Sequence, residues 1–233
     1  MPVAEQFRTL RTNISYLNHG IPNKILLITS GISGEGKSFI SINLANTLAI
    51  SNKKTILIEF DLRNPSLAVS LNADSTRGMA NYLAGEIEID QIIQPVNNSE
   101  NLFFISSGIP LPANPGEIIL NNRIQPLIDH LRQQFDFIVM DTPPIEAVSD
   151  ALTLAKWADS SFFVIRHKYS LRSSLVRMNH LYEDHKLPRP GLIINGIKPG
   201  EGFNNVHGYG YGYGDMDKMK KKKTKERTKL KIA

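Results

Sequence analysis

KILLITSGISGEGKS, residues 24–38, sets a short apolar run directly against a glycine-rich turn. Lys24–Ser30 is bounded by Gly31 and contains Ile25, Ile28 and Thr29, the pattern of a strand buried on both faces. From Gly31 to Ser38 the chain matches G-x-x-x-x-G-K-[ST], and residues 37–50 (KSFISINLANTLAI) continue at helical period. By composition such a match arises by chance in on the order of one chain in a hundred of this length. The strand-loop-helix context is what makes it a phosphate-binding loop. Glycines let the backbone curl so that its N–H groups face phosphate oxygens, and the helix adds the positive end of its dipole. Gly31, Ser33, Gly34, Glu35, Gly36, Lys37, Ser38 and Phe39 are therefore candidate nucleotide-binding residues. Lys37 would reach the β- and γ-phosphates, and the Ser38 hydroxyl would ligate Mg²⁺.

Further apolar runs follow outward from this stretch: KTILIEF at 54–60, DFIVMD at 136–141, SSFFVIR at 160–166 and GLIIN at 191–195. Helical stretches lie at about 78–84, 115–134, 149–157 and 171–185. Strands alternating with helices predict an α/β fold, a doubly wound, mainly parallel sheet of P-loop NTPase type with helices on both faces. Ligands of such sheets bind at the carboxyl ends of the strands. Four runs end in residues suited to a nucleotide: Ser30-Gly31, Glu59 and Asp61, Asp141, and Asn195. Asp141 closes an apolar strand in the manner of a Walker B carboxylate and is a candidate Mg²⁺ ligand. Alternation puts Glu59 and Asp61 on one side if their strand continues, beside the phosphates. Asn195 is open between a strand-end turn former and a base contact.

Residues 4–18 read as an amphipathic helix with Phe7, Leu10, Ile14 and Leu17 on its apolar stripe and Glu5, Arg8 and Arg11 opposite. After about residue 199 the pattern stops. Residues 200–214 are rich in glycine, asparagine and tyrosine, and 215–233 are charged; both are expected to be disordered. The net charge of +5 is unevenly placed. Residues 215–233 hold nine Lys/Arg against three acidic residues, leaving 18 basic and 19 acidic residues in 1–214. The basic balance says nothing about the folded body. Zero cysteines exclude a disulfide framework and thiolate zinc sites, and no apolar run approaches the length of a membrane span. The six histidines show no metal-ligand spacing.

Taken together, these residues resemble the bacterial tyrosine kinases, a P-loop family related to the septum-site and partition ATPases. ILIEFDLRNP is similar to the family's additional Walker A′ motif, DTPPIEAVSDA to its Walker B segment, and Asn114-Pro115-Gly116-Glu117 to a family loop. EQFRTLRTNI resembles its E-x-x-R-x-x-R helix, and YGYGYG its C-terminal tyrosine cluster. The match runs from about residue 4 to 214, with the motifs in family order. Ile32 stands where the septum-site group carries an extra lysine, which favours the kinase branch. The resemblance implies ATP and Mg²⁺ as cofactors, Lys37, Glu59, Asp61, Arg63 and Asp141 as catalytic residues, and Ser38, Asp61 and Asp141 as metal ligands. One Walker A′ carboxylate would activate the tyrosine hydroxyl. The family motif begins with Asp, so Glu59 keeps the charge on a longer arm; if only the carboxylate is needed, Glu59→Asp is expected to keep or raise activity and Glu59→Gln to lower it. Asn195 falls at the adenine-contacting position.

Three segments keep two readings each. Tyr209, Tyr211 and Tyr213 are either a low-complexity linker or phosphoacceptors on a glycine-freed backbone. Glu5, Arg8 and Arg11 are a solvated face or, as the resemblance implies, an oligomerisation contact that builds a homo-oligomeric ring. The lysine-rich end is a solvated run or a contact to anionic lipid; without interleaved aromatics, no nucleic-acid contact is expected there. The expected organisation is a kinase domain over 1–199, an autophosphorylation segment over 200–214 and a basic tail over 215–233. The resemblance also implies a role in capsular or exopolysaccharide synthesis and export. That role brings a membrane polysaccharide co-polymerase, fused or separate, a cognate tyrosine phosphatase, and a place on the cytoplasmic face of the cell membrane. The rival readings are a septum-site-like membrane ATPase switch and a nucleotide-binding adaptor without kinase activity.

Overall fold

The computed structural model describes residues 3–16 and 24–197. Leu17, the acceptor candidates Tyr209, Tyr211 and Tyr213, and the basic segment 215–233 lie outside them. In chain order the elements are α1 (Val3–Tyr16), β1 (Ile25–Ser30), α2 (Lys37–Ile50), β2 (Thr55–Glu59), α3 (Leu67–Leu71), α4 (Met79–Ala84), β3 (Gln94–Pro95) and β4 (Leu102–Ile105). There follow α5 (Pro115–Ile119), α6 (Ile124–Gln134), β5 (Phe137–Asp141), α7 (Asp150–Leu154), β6 (Ser160–Arg166), α8 (Arg172–Glu183) and β7 (Pro190–Asn195).

The strands form one sheet in the order β3-β4-β2-β5-β1-β6-β7, parallel throughout except for β3. Every residue of β1 and β2 is buried, which is why both sequences are continuously apolar rather than alternating. Helices cover both faces. Leu26, Ile28, Leu57 and Val139 face α1, α2 and α3 through Phe7, Ile14, Leu44, Leu48 and Leu67. Leu27, Ile56, Ile58 and Ile138 face α4 to α8 through Met79, Leu127, Leu131, Leu154 and Leu181. A fully buried leucine such as Leu44 contributes roughly 1.5–3 kcal/mol.

The five expected strands all form, and two more join them. The run Leu102–Ile105 is too short for periodicity to separate strand from helix. Its register with β2, Thr55↔Leu102 to Ile58↔Ile105, settles the matter. The helix expected over 115–134 is broken into α5 and α6. Asn121 causes the break: its side-chain oxygen accepts the Arg123 N–H at 2.9 Å and its amide donates to the Leu83 carbonyl at 3.0 Å. Local side-chain bonds of this kind compete with the helical ladder.

Candidate functional site

The C-terminal ends of β1, β2 and β5 converge. In register, Ile28 pairs with Asp141, and Asp141 with Glu59 on its other side. The phosphate loop leaves β1 and enters α2 at Gly36, where φ is 95°. A side chain there would be strained, and its Cβ would fall 2.1 Å from Asn195 Nδ2. The first backbone N–H bound within α2 is that of Ile40, which donates to the Gly36 carbonyl at 3.0 Å. The amides of Lys37, Ser38 and Phe39 thus belong to the helix N-terminus and have no intrahelical acceptor.

An open cleft of about 360 Å³ is lined by Gly36, Lys37 and Ser38, by Asp61 and Arg63 after β2, and by Pro143 and Pro144 after β5. Lys37 Nζ donates to Asp61 Oδ2 at 3.0 Å, and both side chains are largely buried. Asp61 Oδ1 accepts the Asn64 N–H at 3.1 Å, so the loop after β2 fixes the carboxylate. Asp141 accepts hydroxyl hydrogen bonds from Ser38 at 2.9 Å and from Ser41 at 2.8 Å. Burial pushes the Asp141 carboxyl up to about 6, against the lowering by the Lys37 charge and the two serine hydroxyls, while the Asp61 charge adds to the rise. Arg63 Nε reaches the buried Asp150 at 3.1 Å, and a Cβ on Gly116 of the Asn114–Glu117 loop would touch both partners.

A nucleotide fits this donor set. Backbone amides, a lysine and the start of a fourteen-residue helix surround the cleft. Ser38 and Asp141, a hydroxyl and a carboxylate already in contact, are the hard oxygen ligands that Mg²⁺ takes.

Lys37, Ser38, Asp61, Arg63 and Asp141 come together at one end of the sheet, whereas the side chains of Glu59, Glu35, Phe39 and Asn195 bond or pack elsewhere. Glu59 is turned away. Its Oε1 accepts the N–H groups of Ser66 and Leu67, both at 2.6 Å, and its Oε2 that of Ser107 at 3.2 Å. The strand ends at Glu59, two residues short of Asp61, so the alternation that would place Glu59 and Asp61 side by side does not extend to Asp61. Glu35 keeps its place in the loop, but its buried carboxylate accepts the Ile32 N–H at 2.9 Å and the Ser170 hydroxyl. The Phe39 ring packs edge-on against Phe7 at 5.9 Å, leaving its backbone amide as its part in the cradle. Asn195 lies beside the loop, donating to the Glu35 carbonyl at 3.0 Å. On α1, Arg8 pairs with Glu5 of the same helix, while Arg11 is half-buried. Ser41, Asp150, Arg166 and Tyr169 enter the site region without having been singled out. Ser41 stands at i,i+4 from Lys37, Asp150 lies inside the Walker B-like stretch 141–151 and Arg166 ends the run 160–166; nothing local marked Tyr169.

The AAA domain family matches residues 23–182. The tyrosine-protein kinase YwqD of Bacillus subtilis is 34% identical over 195 residues, covering 84% of this chain and 81% of that protein. The tyrosine-protein kinase CpsD of Streptococcus agalactiae serotype III is 36% identical over 194 residues, covering 83% and 82%. In relatives from Klebsiella pneumoniae and Ralstonia solanacearum the chain spans 26% of the length. The solved kinase domain of the Escherichia coli tyrosine kinase ETK superposes with a TM-score of 0.79 at 29% identity, over 90% of this chain and 80% of that one. The cell division ATPase MinD of Pyrococcus furiosus shares the fold alone, with a TM-score of 0.62 at 21% identity over 74% and 71%.

Proposed function

The chain belongs to the bacterial tyrosine-protein kinases, and from that premise we propose that it is an ATP- and Mg²⁺-dependent autokinase that phosphorylates Tyr209, Tyr211 and Tyr213. The observation that carries the reading is the Lys37–Asp61 contact of 3.0 Å beside the Ser38–Asp141 contact of 2.9 Å at one mouth of the sheet. In this reading the cation and the carboxylates meet the γ-phosphoryl group and the incoming hydroxyl. Lys37 neutralises charge that develops on the transferred group. Asp61 takes the proton of the acceptor tyrosine as its oxygen bonds to phosphorus and the bond to the ADP oxygen breaks. Arg63, oriented by Asp150, holds the acceptor side of the cleft. Ser38 and Asp141 would hold Mg²⁺, which would supply positive charge to offset that of the phosphates.

In this reading the acceptors are presented by the chain that follows residue 197. From Lys198 to Tyr211 an extended chain covers at most about 43 Å, enough to serve a neighbouring subunit. Glu5, Arg8 and Arg11 are proposed to build that neighbour contact, in a ring. One relative is named for its place in the cps region of Klebsiella pneumoniae. It supports a role in capsular or exopolysaccharide export with a membrane co-polymerase and a cognate phosphatase.

Intact-mass analysis with and without phosphatase tests the proposal. The protein as purified should carry phosphate on residues 200–214, and Lys37→Met should carry none. Undiminished tail phosphotyrosine in Lys37→Met sinks the site assignment. ATP hydrolysis without any phosphotyrosine would favour a septum-site-like switch.

A further inference from the structure

Three consecutive carbonyls of the phosphate loop each accept a hydrogen bond from a side chain at the ends of β6 and β7. Tyr169 Oη donates to Ser33 at 3.0 Å, Arg166 Nη1 to Gly34 at 3.1 Å and Asn195 Nδ2 to Glu35 at 3.0 Å. The Ser170 hydroxyl adds a fourth tie through the Glu35 carboxylate. The turn that supplies these donors is itself braced. Arg166 N–H donates to Ser170 Oγ at 2.7 Å, and the Arg166 guanidinium lies 5.2 Å from the centre of the Tyr169 ring. The fit is close: a Cβ on Gly34, where φ is 84°, would come within 2.7 Å of Tyr169 Oη.

A peptide unit is planar and trans, so its C=O and the following N–H point in opposite directions. Drawing the carbonyls of Ser33, Gly34 and Glu35 toward β6 and β7 therefore turns the N–H groups of Gly34, Glu35 and Gly36 the other way. Gly34 and Gly36 line the cleft, whereas Arg166, Tyr169 and Ser170 are not among its lining residues. A glycine-rich loop left to itself samples many backbone states, and a loop held in its bound form binds more tightly because less ordering remains to be done.

We propose that Arg166, Tyr169 and Ser170 form a positioning clamp that presets the phosphate loop for the β-phosphate of its nucleotide. The proposal rests on the reading that this loop takes a nucleoside polyphosphate. It does not depend on the chain being a kinase. These residues touch the loop from behind, so their effect must scale with the phosphates and leave the base contacts unchanged.

Calorimetric titration of the full chain with ADP and with AMP, both with Mg²⁺, tests this. Arg166→Ala should weaken ADP binding about tenfold and Tyr169→Phe about threefold. AMP, which lacks the β-phosphate, should be little affected. Arg166→Lys should recover part of the loss, because an ammonium still reaches the Gly34 carbonyl. The melting temperature of the nucleotide-free variants should stay that of the parent, while the upward shift produced by ADP shrinks. Equal losses for ADP and AMP would show that the turn meets the nucleoside directly and would overturn the proposal. So would unchanged ADP affinity in the Arg166→Ala, Tyr169→Phe double variant, or a lowered melting temperature of the nucleotide-free variants. Because binding is read without turnover, absence of phosphotyrosine would refute the kinase reading and leave this test intact.

Discussion

Glu59 and Asp141 end neighbouring strands in register, face the same side of the sheet, and are each only 1% exposed. Their partners differ. Asp141 is satisfied by the hydroxyls of Ser38 and Ser41, side chains that can rotate and hand the carboxylate to a cation. Glu59 is satisfied by the backbone N–H groups of Ser66, Leu67 and Ser107, which cannot turn away without unwinding the start of α3 and the loop after β4. One buried carboxylate is available for chemistry; the other is committed to the backbone. Burial and charge alone do not mark a catalytic acid, and the identity of the donors does.

The sharpest way to break this contrast is Asp141→Asn. Phosphotyrosine formation should fall about a thousandfold or more, since Mg²⁺ placement is lost, while the fold survives. The sign of the stability change follows from the carboxyl at about 6. A carboxyl raised above its unfolded value of 3.8 stabilises the fold below that value, and the contribution is lost as pH rises through about 6. Ionised Asp141 therefore costs on the order of 3 kcal/mol at neutral pH in the metal-free protein. The asparagine variant should melt no lower than the parent at pH 7.5, and a lower melting point would show that Asp141 is structural after all.

Glu59 should give the opposite result. Glu59→Gln keeps one acceptor and points an amide at N–H donors, and should cost about 2 kcal/mol of stability in urea unfolding. Glu59→Asp, expected from the family motif to keep activity, withdraws the carboxylate by one methylene and should also destabilise. Any loss of activity should follow from a displaced Asp61. Full stability in both variants would return Glu59 to the catalytic group.

A smaller effect separates the two carboxylates by pH. Affinity for ADP with Mg²⁺ should decline as pH falls below about 6, where Asp141 takes up a proton, as does the terminal phosphate of ADP, and Asp141→Asn should show only the shallower decline due to the nucleotide. A profile unchanged by the substitution would assign the titration elsewhere.

Much of this was legible in the chain. The run from Lys24 to Ser38 specified strand, phosphate loop and helix because each signal is local: apolar continuity, a glycine spacing, a 3.6-residue period. The phosphate-loop motif singled out Lys37 and Ser38 and the strand ends singled out Asp61 and Asp141, and the structure brings these side chains within hydrogen-bond reach in pairs. Local signals failed where a partner far along the chain decides. Leu102–Ile105 is a strand because β2 offers it a ladder. The helix over 115–134 breaks because Asn121 finds the Leu83 carbonyl. Nothing near Ser33 points to Tyr169, 136 residues later.

The sequence by itself thus determined the fold class, the loop and the supply of carboxylates at one edge of the sheet, since periodicity and motif spacing are properties of contiguous residues. Tertiary structure decided what each polar group does. A buried carboxylate or carbonyl must find donors, and which donors are within 3 Å depends on how distant segments pack. Glu59 meets the amides of α3, Asp141 meets the serines of α2, and the phosphate loop meets the turn after β6.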